Sequence, residues 1–474
     1  MSDPDFGVTQ TMTPPTRTDD VAFNALDDRL RGVLLRPGDA GYDDARTVWN
    51  ARIDREPAAV ARCRGVADVI AAVESAREHD CRLSVKSGGH HVSGTAVCDD
   101  GLVIDLGPMD GVWVDPDART ARVEAGATWG DIDHETGAFG LAVPGGQDPN
   151  IGVAGLTLGG GVGWLSPLYG LTSDNLLSAD VVTADGELVR ASADEHPELF
   201  WALRGGGGNF GVVTSFEFRL YEVSEVFAGS LIYPSEDTRD VARWYREFVA
   251  DAPRAVRLLF GSMTLPSKPS YPPSISGSRV AIIIACYAGP AEEGARVLAP
   301  LRSRGDPVVD SLRERPYTEF QRAGDSRGAM RTDLRSQHLS TLSDDAIDTI
   351  VTHAESAPST GATVFVSPRT GAETDPPSDA TAYPHRDAAH HLLIEARWDD
   401  PDRDDEHRDW VREFHEAVEP YTTGAAAMNF LTDTADDERV RAAYGDNYER
   451  LVDVKTEWDP ENRFRMNQNV EPRE

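Results

Sequence analysis

The pattern of hydrophobic and polar positions divides the chain near residue 221. Before that point, a predicted strand at 57–63, a helix at 66–79 and a strand ending at Lys86 form a strand–helix–strand unit. The same patterns predict further strands at 102–106, 120–124, 178–183 and 212–220, and helices at 21–32, after a Thr128 cap and at 197–203.

Beyond residue 221 the predicted elements change character. Strands are predicted at 227–232, 257–263, 280–287, 362–367 and 391–398, and helices at 237–250, 292–303 and 344–354. This order favours an antiparallel sheet with helices on one face, and a second domain that shapes a pocket. The fold class predicted for the whole chain is therefore α+β.

A glycine-rich turn follows Lys86 and reads Ser87-Gly88-Gly89-His90-His91-Val92-Ser93-Gly94. Glycines allow positive φ and leave out Cβ atoms, so successive N–H groups can converge on an anion such as a pyrophosphate. His90 stands at the end of the turn. An imidazole there can act as a base, as a metal ligand, or as a nucleophile that bonds to a cofactor.

Two more glycine clusters follow, at 144–163 and at 205–211. Glycine at this density costs chain entropy at every position, which favours backbone contact with a ligand over pure scaffolding. Gly206, Gly208 and Gly211 match GxGxxG, but the predicted order is helix, glycines, strand. A dinucleotide fingerprint follows a strand and opens a helix, so an NAD-binding Rossmann domain is disfavoured.

The charge balance narrows the choice of partners and environment. The chain has 46 Lys+Arg against 80 Asp+Glu, a formal net charge of -34, and its only lysines are Lys86, Lys268 and Lys455. Such a surface repels nucleic acid and anionic membranes. Because the acidic residues are dispersed, we expect a halophilic protein whose surface stays hydrated in concentrated salt and whose stability falls when salt is removed.

Other features bear on location and cysteine state. Cys63, Cys81, Cys98 and Cys286 show no metal-ligand spacing and are expected to be reduced and mostly buried. Residues 1–20 resemble a disordered tail without the apolar core of a signal peptide, and no apolar run is long enough to span a membrane. We therefore expect a cytoplasmic protein.

Taken together, the motifs resemble the covalent flavoprotein oxidases of the p-cresol methylhydroxylase/vanillyl-alcohol oxidase (PCMH/VAO) superfamily, and within it the berberine bridge enzyme-like group. The resemblance covers about 37–472 and rests on the Ser-Gly-Gly-His turn, Gly-Val-Ala-Gly-Leu-Thr-Leu-Gly-Gly-Gly-Val-Gly, Tyr-Gly-Leu-Thr-Ser-Asp-Asn, Gly-Gly-Gly-Asn-Phe-Gly-Val-Val-Thr and Phe-Arg-Met-Asn-Gln-Asn. It implies a PCMH-type FAD-binding domain of two subdomains at 21–222, an antiparallel-sheet substrate domain at 223–424, and a C-terminal segment at 425–474 that returns to the FAD-binding domain.

Carried over position by position, the resemblance implies that a ring nitrogen of His90 bonds to the 8α carbon of FAD. The other residues that it places around the cofactor are Ser87, Gly88, Gly89, His91, Gly94, Gly152, Val153, Gly155, Gly159, Gly160, Gly161, Gly163, Asn175, Val212, Asn467 and Asn469.

The chain departs from the family pattern at two positions. Some relatives make a second flavin bond from a cysteine, and Asp148 stands at the corresponding place, so a single covalent bond is expected. Many bacterial relatives carry Tyr-x-Asn near the C-terminus, with the tyrosine acting on the substrate's proton. Here the segment is Ala427-Met428-Asn429, so the usual base is missing.

A substitute base is sought in the segment Thr381-Ala382-Tyr383-Pro384-His385-Arg386. Tyr383 and His385 could shuttle a proton, and Arg386 could lower the pKa of a neighbouring phenol. The alternative is that Tyr383 packs while His385 and Arg386 are solvated. Tyr169 is a weaker candidate base, since Tyr-Gly turns are frequently structural. The pair His390-His391 adjoins a strand, where neighbours point to opposite faces, so no metal site is predicted.

The predicted function is that of an FAD-dependent oxidase or dehydrogenase. It would take a hydride from a CH–OH or CH–NH group of a small organic substrate, with oxygen or another carrier as electron acceptor. The alternative that stays open is a flavin-binding module without turnover, for redox sensing or binding, which the alanine at 427 makes credible.

Overall fold

The computed structural model describes residues 19–268, 271–324, 328–425, 427–432 and 437–473. Its first sheet has the strand order Val33–Leu35, Ala59–Arg62, Leu102–Asp105, Leu83–Lys86. The last three strands are parallel, and the helix Val66–Glu78 forms the crossover between two of them. The turn with the histidine pair therefore begins at the carboxyl end of a buried parallel strand.

A second sheet of five antiparallel strands follows. Its order is Val112–Asp115, Thr120–Glu124, Val212–Arg219, Leu176–Val182, Leu188–Ser192, and Leu141–Ala142 pairs separately with Tyr221–Glu222. The helices of this half are Asp19–Asp27, Tyr42–Arg46, Trp129–Gly137, Val153–Leu158, Ser166–Tyr169 and Pro197–Leu203. The third glycine cluster lies between the helix Pro197–Leu203 and the strand Val212–Arg219, the order that disfavoured a Rossmann fingerprint.

A large antiparallel sheet forms the other half. Its order is Val309–Asp310, Glu225–Pro234, Arg279–Tyr287, Val256–Thr264, Thr363–Pro368, His390–Trp398, Arg331–Leu339, and Arg313–Pro316 also pairs with Glu225–Pro234. The helices that join one face of it in a single apolar cluster are Thr238–Ala250, Ala291–Arg302, Asp344–Glu355 and Asp404–Val418. The α+β prediction, with an antiparallel sheet and helices on one face, is confirmed.

The other face of this sheet carries mostly polar side chains along the strand His390–Trp398. On the strand His390–Trp398, Leu392 and Ile394 are fully buried against the helices, so the alternate positions point the other way. His390 meets Tyr245 on the helix side, whereas His391 contacts His338. The predicted opposite orientation of the two histidines is therefore correct.

The C-terminal segment packs into the first half of the chain. Leu451, Phe464 and Val470 are buried in the same apolar cluster as Trp201 and Phe216. The domain bounds given above stay a prediction. The remaining helices are Tyr317–Gln321, Asp437–Tyr444 and Tyr448–Trp458, and short 3-10 turns lie at Thr172–Asn175, Ser235–Asp237, Arg322–Gly324, Gly371–Glu373, Pro401–Arg403, Glu419–Tyr421, Met428–Phe430 and Gly445–Asn447.

Three expectations concern the chain as a whole. The predicted tail lies, at residues 1–18, outside the described residues, and a helix begins at Asp19. Cys63, Cys81, Cys98 and Cys286 all lie in the described part of the chain and form no disulfide there, and Cys81 alone of the four is partly exposed. Within the described ranges, no helix is both long and apolar enough to cross a membrane.

Candidate active site

The turn that carries the histidine pair is anchored at its start. The Ser87 hydroxyl donates a hydrogen bond of 2.6 Å to the Ala125 carbonyl. The Lys86 ammonium donates one of 2.6 Å to the Ala45 carbonyl. These bonds tie both residues before the glycines to other segments, so the backbone that leads to His90 is fixed.

The first two glycine clusters meet at Gly88 and Gly152. A Cβ atom on Gly88 would lie 2.4 Å from the backbone nitrogen of Gly152, and a Cβ on Gly152 would lie 2.4 Å from that of Gly88. Gly89 has a φ of 64°, in the left-handed region that favours glycine. Val153 then opens a short helix. Residues separated by 64 positions thus form one junction of bare backbone.

Most of the other predicted cofactor glycines are packed closely within the protein. An added Cβ would meet atoms that are too near: Gly94 2.6 Å from Ile53 Cγ1, Gly159 1.8 Å from Asn429 Oδ1, Gly160 2.7 Å from Tyr383 Cδ2, Gly161 2.4 Å from Thr172 Oγ1, and Gly163 1.8 Å from the Gly145 carbonyl. Gly155 differs, because no described atom lies within 4 Å of its added Cβ. Close packing therefore explains much of the glycine density, and Gly155 borders open space.

His90 lies in an aromatic and charged setting. Its ring stacks on Trp49, with centroids 5.5 Å apart and planes at 19°. The Arg397 guanidinium lies over the Trp49 ring, 5.2 Å from its centroid. Burial lowers the pKa of His90, with Asp148 opposing the shift and Arg397 adding to it. The imidazole is therefore neutral at pH 7 and keeps the nitrogen lone pair that nucleophilic attack requires.

His91 connects the turn to the C-terminal part of the chain. The Ser93 backbone N–H donates to Nδ1 of His91 at 3.3 Å, so Nε2 carries the ring proton. Nε2 lies 3.4 Å from the Met428 carbonyl and 3.2 Å from the Gln468 amide. Burial also lowers the pKa of His91. His91 therefore positions neighbouring segments and stays neutral.

The terminal amides close the same region. The Asn467 amide donates to the carbonyls of Gly208 (3.1 Å) and Phe464 (3.0 Å). The side-chain oxygens of Asn467 and Asn469 are buried and have no hydrogen-bond partner in the described part of the chain. Such groups are normally satisfied by protein, water or ligand.

Asn175 and Val212 serve the fold directly. The Asn175 amide donates to the carbonyls of Tyr169 (2.9 Å) and Leu171 (2.8 Å), and its oxygen accepts from the Tyr221 hydroxyl at 2.7 Å. Val212 is buried in its strand. A role of Asn175 towards a cofactor would therefore run through the turn that it holds.

These observations test whether FAD fits. Gly88 and Gly152 pack backbone against backbone beside the histidine turn, Gly155 borders open space, and two buried amide oxygens lack partners among the residues that the structure describes. Backbone N–H groups suit a pyrophosphate, and amide oxygens accept from the N–H groups of a flavin or adenine ring. The residues present fit a dinucleotide.

The predicted base residues lie together in the second half of the site. Tyr383 is 3% exposed, and its hydroxyl has no partner among the residues described. His385 Nε2 lies 2.9 Å from the Ala443 carbonyl, which only accepts, so Nδ1 keeps its lone pair. Burial lowers the pKa of His385, so its ring is neutral. Arg386 binds Asp174 through both terminal nitrogens, at 2.8 and 2.7 Å.

Sequence reasoning missed several polar residues that surround this group. His338 is fully buried, both of its ring nitrogens lack a partner within the described ranges, and its ring lies 5.3 Å from His385 and 5.5 Å from His391. The Arg369 guanidinium lies 5.4 Å from the Tyr383 ring. Burial lowers the pKa of His391 to about 3. His338 lies opposite His391 on the neighbouring antiparallel strand. No local sequence motif predicts this pairing, because the two residues are far apart in the chain.

A cavity opens beside the segment where the family tyrosine would stand. It has a volume of about 320 Å³ and is lined by His385, Asp387, Ala388, Thr423, Gly424, Ala425 and Ala442. The backbone N–H of His338 donates a hydrogen bond of 3.1 Å to the carbonyl of Ala425, which lies two residues before Ala427. Among the described residues, no group of three or more His, Cys, Asp or Glu side chains is arranged to hold a metal ion.

Comparison with known proteins supplies the family. A model described as FAD binding domain matches residues 57–192, and one described as berberine and berberine like matches 424–471. (R)-6-hydroxynicotine oxidase of Paenarthrobacter nicotinovorans is 32% identical over 454 residues, which span 94% of this chain and 97% of that protein. The chain belongs to the berberine bridge enzyme-like family of FAD-linked oxidoreductases.

Other relatives agree with this membership. An FAD-linked oxidoreductase of Dictyostelium discoideum is 29% identical over 95% of this chain and 96% of its own length. The crystal structure of 6-hydroxy-D-nicotine oxidase from Arthrobacter nicotinovorans matches with a TM-score of 0.84 and 30% identity, over 94% of this chain and 98% of that one. Xylooligosaccharide oxidase from Myceliophthora thermophila C1 matches with a TM-score of 0.84 and 25% identity, over 96% and 99%. This berberine bridge enzyme-like protein is an FAD-dependent oxidoreductase, and the family supports the enzyme over the flavin-binding module without turnover.

Proposed function

We propose that the protein oxidises a CH–OH or CH–NH group of a small organic substrate, using an FAD that is bound covalently through His90 by a single bond. When bound, FAD supplies the ring that accepts the hydride. The observation that carries the proposal is the position of His90, a neutral imidazole beside the junction of Gly88 and Gly152.

The other cofactor residues would act through their backbone or their fold contacts. The junction at Gly88 and Gly152, with Ser87 and Val153 beside it, would surround the pyrophosphate. The carboxylate of Asp148 lies close enough to affect the pKa of His90. A carboxylate cannot form the thioether that a cysteine forms, so a second bond to the flavin is not expected.

Tyr383 and His385 would handle the substrate's proton in place of the tyrosine that is replaced by Ala427. The Tyr383 hydroxyl is unpartnered in the described part of the chain, and His385 lines the cavity with a neutral ring. Arg386 would be a positioning residue, because its guanidinium is bound by Asp174 and lies 5.5 Å from the Tyr383 ring centroid.

The covalent bond is tested by denaturation. The purified protein should be yellow, and the colour should stay with the acid-precipitated polypeptide, whereas His90→Ala should release its flavin into the supernatant. A His90→Ala protein that keeps flavin attached would overturn the assignment. An Asp148→Ala variant, which removes the neighbouring carboxylate but not the imidazole, should keep the colour with the polypeptide.

The chemistry is tested by anaerobic bleaching of the flavin with a panel of alcohols, sugars and amines. With a substrate found in this way, Tyr383→Phe and His385→Gln should each slow bleaching by about 10²–10⁴-fold, the usual contribution of a general base. Tyr169→Phe is the matched control, because Tyr169 stacks on Tyr221 at 3.8 Å and lies outside the proposed base group. Full bleaching rates in both base variants would refute the role, and peroxide formation in air would identify oxygen as the acceptor.

A further inference from the structure

The buried charges around Tyr383 do not balance. The guanidinium groups of Arg257, Arg369 and Arg386 are each at most 5% exposed as residues. The carboxylates that face them are those of Glu373 and Asp174. Three positive charges therefore meet two negative ones in the part of this region that the structure describes, and a buried unpaired charge is costly.

The excess charge can be assigned to Arg369. Asp174 is bound by both terminal nitrogens of Arg386, and Glu373 Oε1 accepts from Arg257 at 2.8 Å. Arg369 approaches Glu373 only to 3.7 Å, and its Nε and Nη2 atoms have no hydrogen-bond partner in the residues described. Its guanidinium is thus a buried cation with free donors.

The unpartnered groups nearby are complementary to an anion with two oxygens. The Tyr383 hydroxyl, both ring nitrogens of His338 and Nε2 of His391 lack partners within the described part of the chain. Arg369 faces these rings, since it lies 5.4 Å from the Tyr383 centroid and its charge acts on both histidines. Neutral imidazoles and a phenol can donate hydrogen bonds, and an arginine fork matches a carboxylate.

We infer that Arg369, with His338 and His391 around it, binds a carboxylate of the substrate, beside the Tyr383 hydroxyl that would take up the substrate's proton. The oxidised alcohol or amine would then belong to a carboxylate-bearing compound, such as a sugar acid or a hydroxy acid. A monoanion leaves the buried cluster neutral, whereas a dianionic phosphate would reverse the imbalance. This inference rests on the proposed function, because it names the substrate class of the same site.

The first test measures binding and needs no turnover. Benzoate and benzamide, which have nearly the same shape, are titrated into the FAD-loaded protein while the flavin absorbance is followed. We expect benzoate to bind at least about tenfold more tightly, and Arg369→Met to remove that preference, because a hydrogen-bonded charge contributes at least this factor. Equal affinity for the two probes, or an unchanged preference in Arg369→Met, would overturn the inference.

Matched variants separate binding from folding. Arg450→Met removes an arginine that pairs with Glu198 on the surface and should leave the benzoate preference unchanged. Arg369→Lys keeps the charge and should keep part of the preference. Since removing Arg369 balances the buried charges, Arg369→Met should not lower the melting temperature. A lowered melting temperature with an unchanged benzoate preference would show that Arg369 is structural.

Failure of this inference and failure of the proposed function give different results. If the protein binds no flavin, the proposed function fails, and the shift of melting temperature with benzoate against benzamide still reports on Arg369. If the flavin binds covalently and is bleached only by neutral alcohols or amines, the proposed function stands and the carboxylate assignment is wrong.

Discussion

Lys455 gives the sharpest test of how the C-terminal segment is held on the glycine clusters. Its ammonium donates to the Asn209 carbonyl (2.8 Å), to Asp459 Oδ2 (2.6 Å) and to the Phe464 carbonyl (3.0 Å). Lys455 and Asp459 are both 0% exposed. All three donors are used, one by the third glycine cluster and two by the C-terminal segment.

Lys455→Met should be severely destabilising. The substitution leaves Asp459 buried with two backbone N–H donors, at 2.8 and 2.9 Å, but without its cation. Breaking a buried ion pair from one side costs about 3–5 kcal/mol, a large part of the roughly 5–15 kcal/mol that stabilises a domain. The free energy of unfolding should be measured by urea denaturation in concentrated salt, with tryptophan fluorescence as the signal.

The double variant Lys455→Met/Asp459→Asn sharpens the result. Because it removes both charges, it should recover part of the lost stability, whereas the exposed Lys268→Met should change the free energy of unfolding by less than about 0.5 kcal/mol. A loss below about 1 kcal/mol in Lys455→Met, or a double variant that is less stable than the single one, would refute the reasoning.

Three further outcomes follow from single features of the structure. Gly155→Ala lies in a helix beside open space, so it should stabilise the flavin-free protein by about 1 kcal/mol and yet lower FAD incorporation; unchanged incorporation would contradict a cofactor there. Burial raises the pKa of Asp133 to about 7, well above the ordinary value of an aspartate, so the folded protein keeps that proton to higher pH than the unfolded chain does. Stability should therefore fall by about 4 kcal/mol between pH 4 and 7 and then level off, and Asp133→Asn should abolish this part of the pH dependence in urea titrations. The melting temperature should rise from dilute buffer to molar salt, because screening relieves repulsion among the excess of carboxylates; equal temperatures would refute the halophilic interpretation.

Elements with a clear local pattern were predictable. The strand Thr120–Glu124 and the helix Pro197–Leu203 have the predicted bounds. Thr128 begins a helix with a capping box, as its position suggested. In these cases the burial of one face and the chemistry of the cap are both encoded within a few residues.

One strand of the large sheet and one helix that packs on it are absent from the sequence prediction, for different reasons. The strand Arg331–Leu339 has polar residues at most positions on both faces, so it shows no alternation. The helix Asp404–Val418 does carry a signal, since Trp410, Val411, Phe414 and Val418 lie on one buried face. The acidic first turn masks this signal, because a run of charged residues is also typical of a solvated surface segment.

Some residues of the candidate site could be predicted from the sequence and others could not. His90 and the glycines of its turn are adjacent in sequence, so local reasoning identifies them. Arg369 and His338 are 31 positions apart and come together only because the strand Thr363–Pro368, which Arg369 follows, lies in the same sheet as the strand of His338. Charge imbalance between buried groups is a property of the folded chain, and no spacing rule reveals it.

The three lysines connect the composition to the fold. Lys86 is half-buried and its ammonium donates to the Ala45 carbonyl, and Lys455 is fully buried, whereas only Lys268 is exposed. A compact ammonium with three rotatable donors suits a cluster of carbonyl acceptors, whereas the planar guanidinium suits carboxylate pairs. Arginine provides the surface ion pairs among the residues that the structure describes, and two of the three lysines stand where carbonyl oxygens or a buried carboxylate need an ammonium group. The acidic surface and the buried cations are therefore separate adaptations, and changing surface charge should leave the site's own charge balance intact.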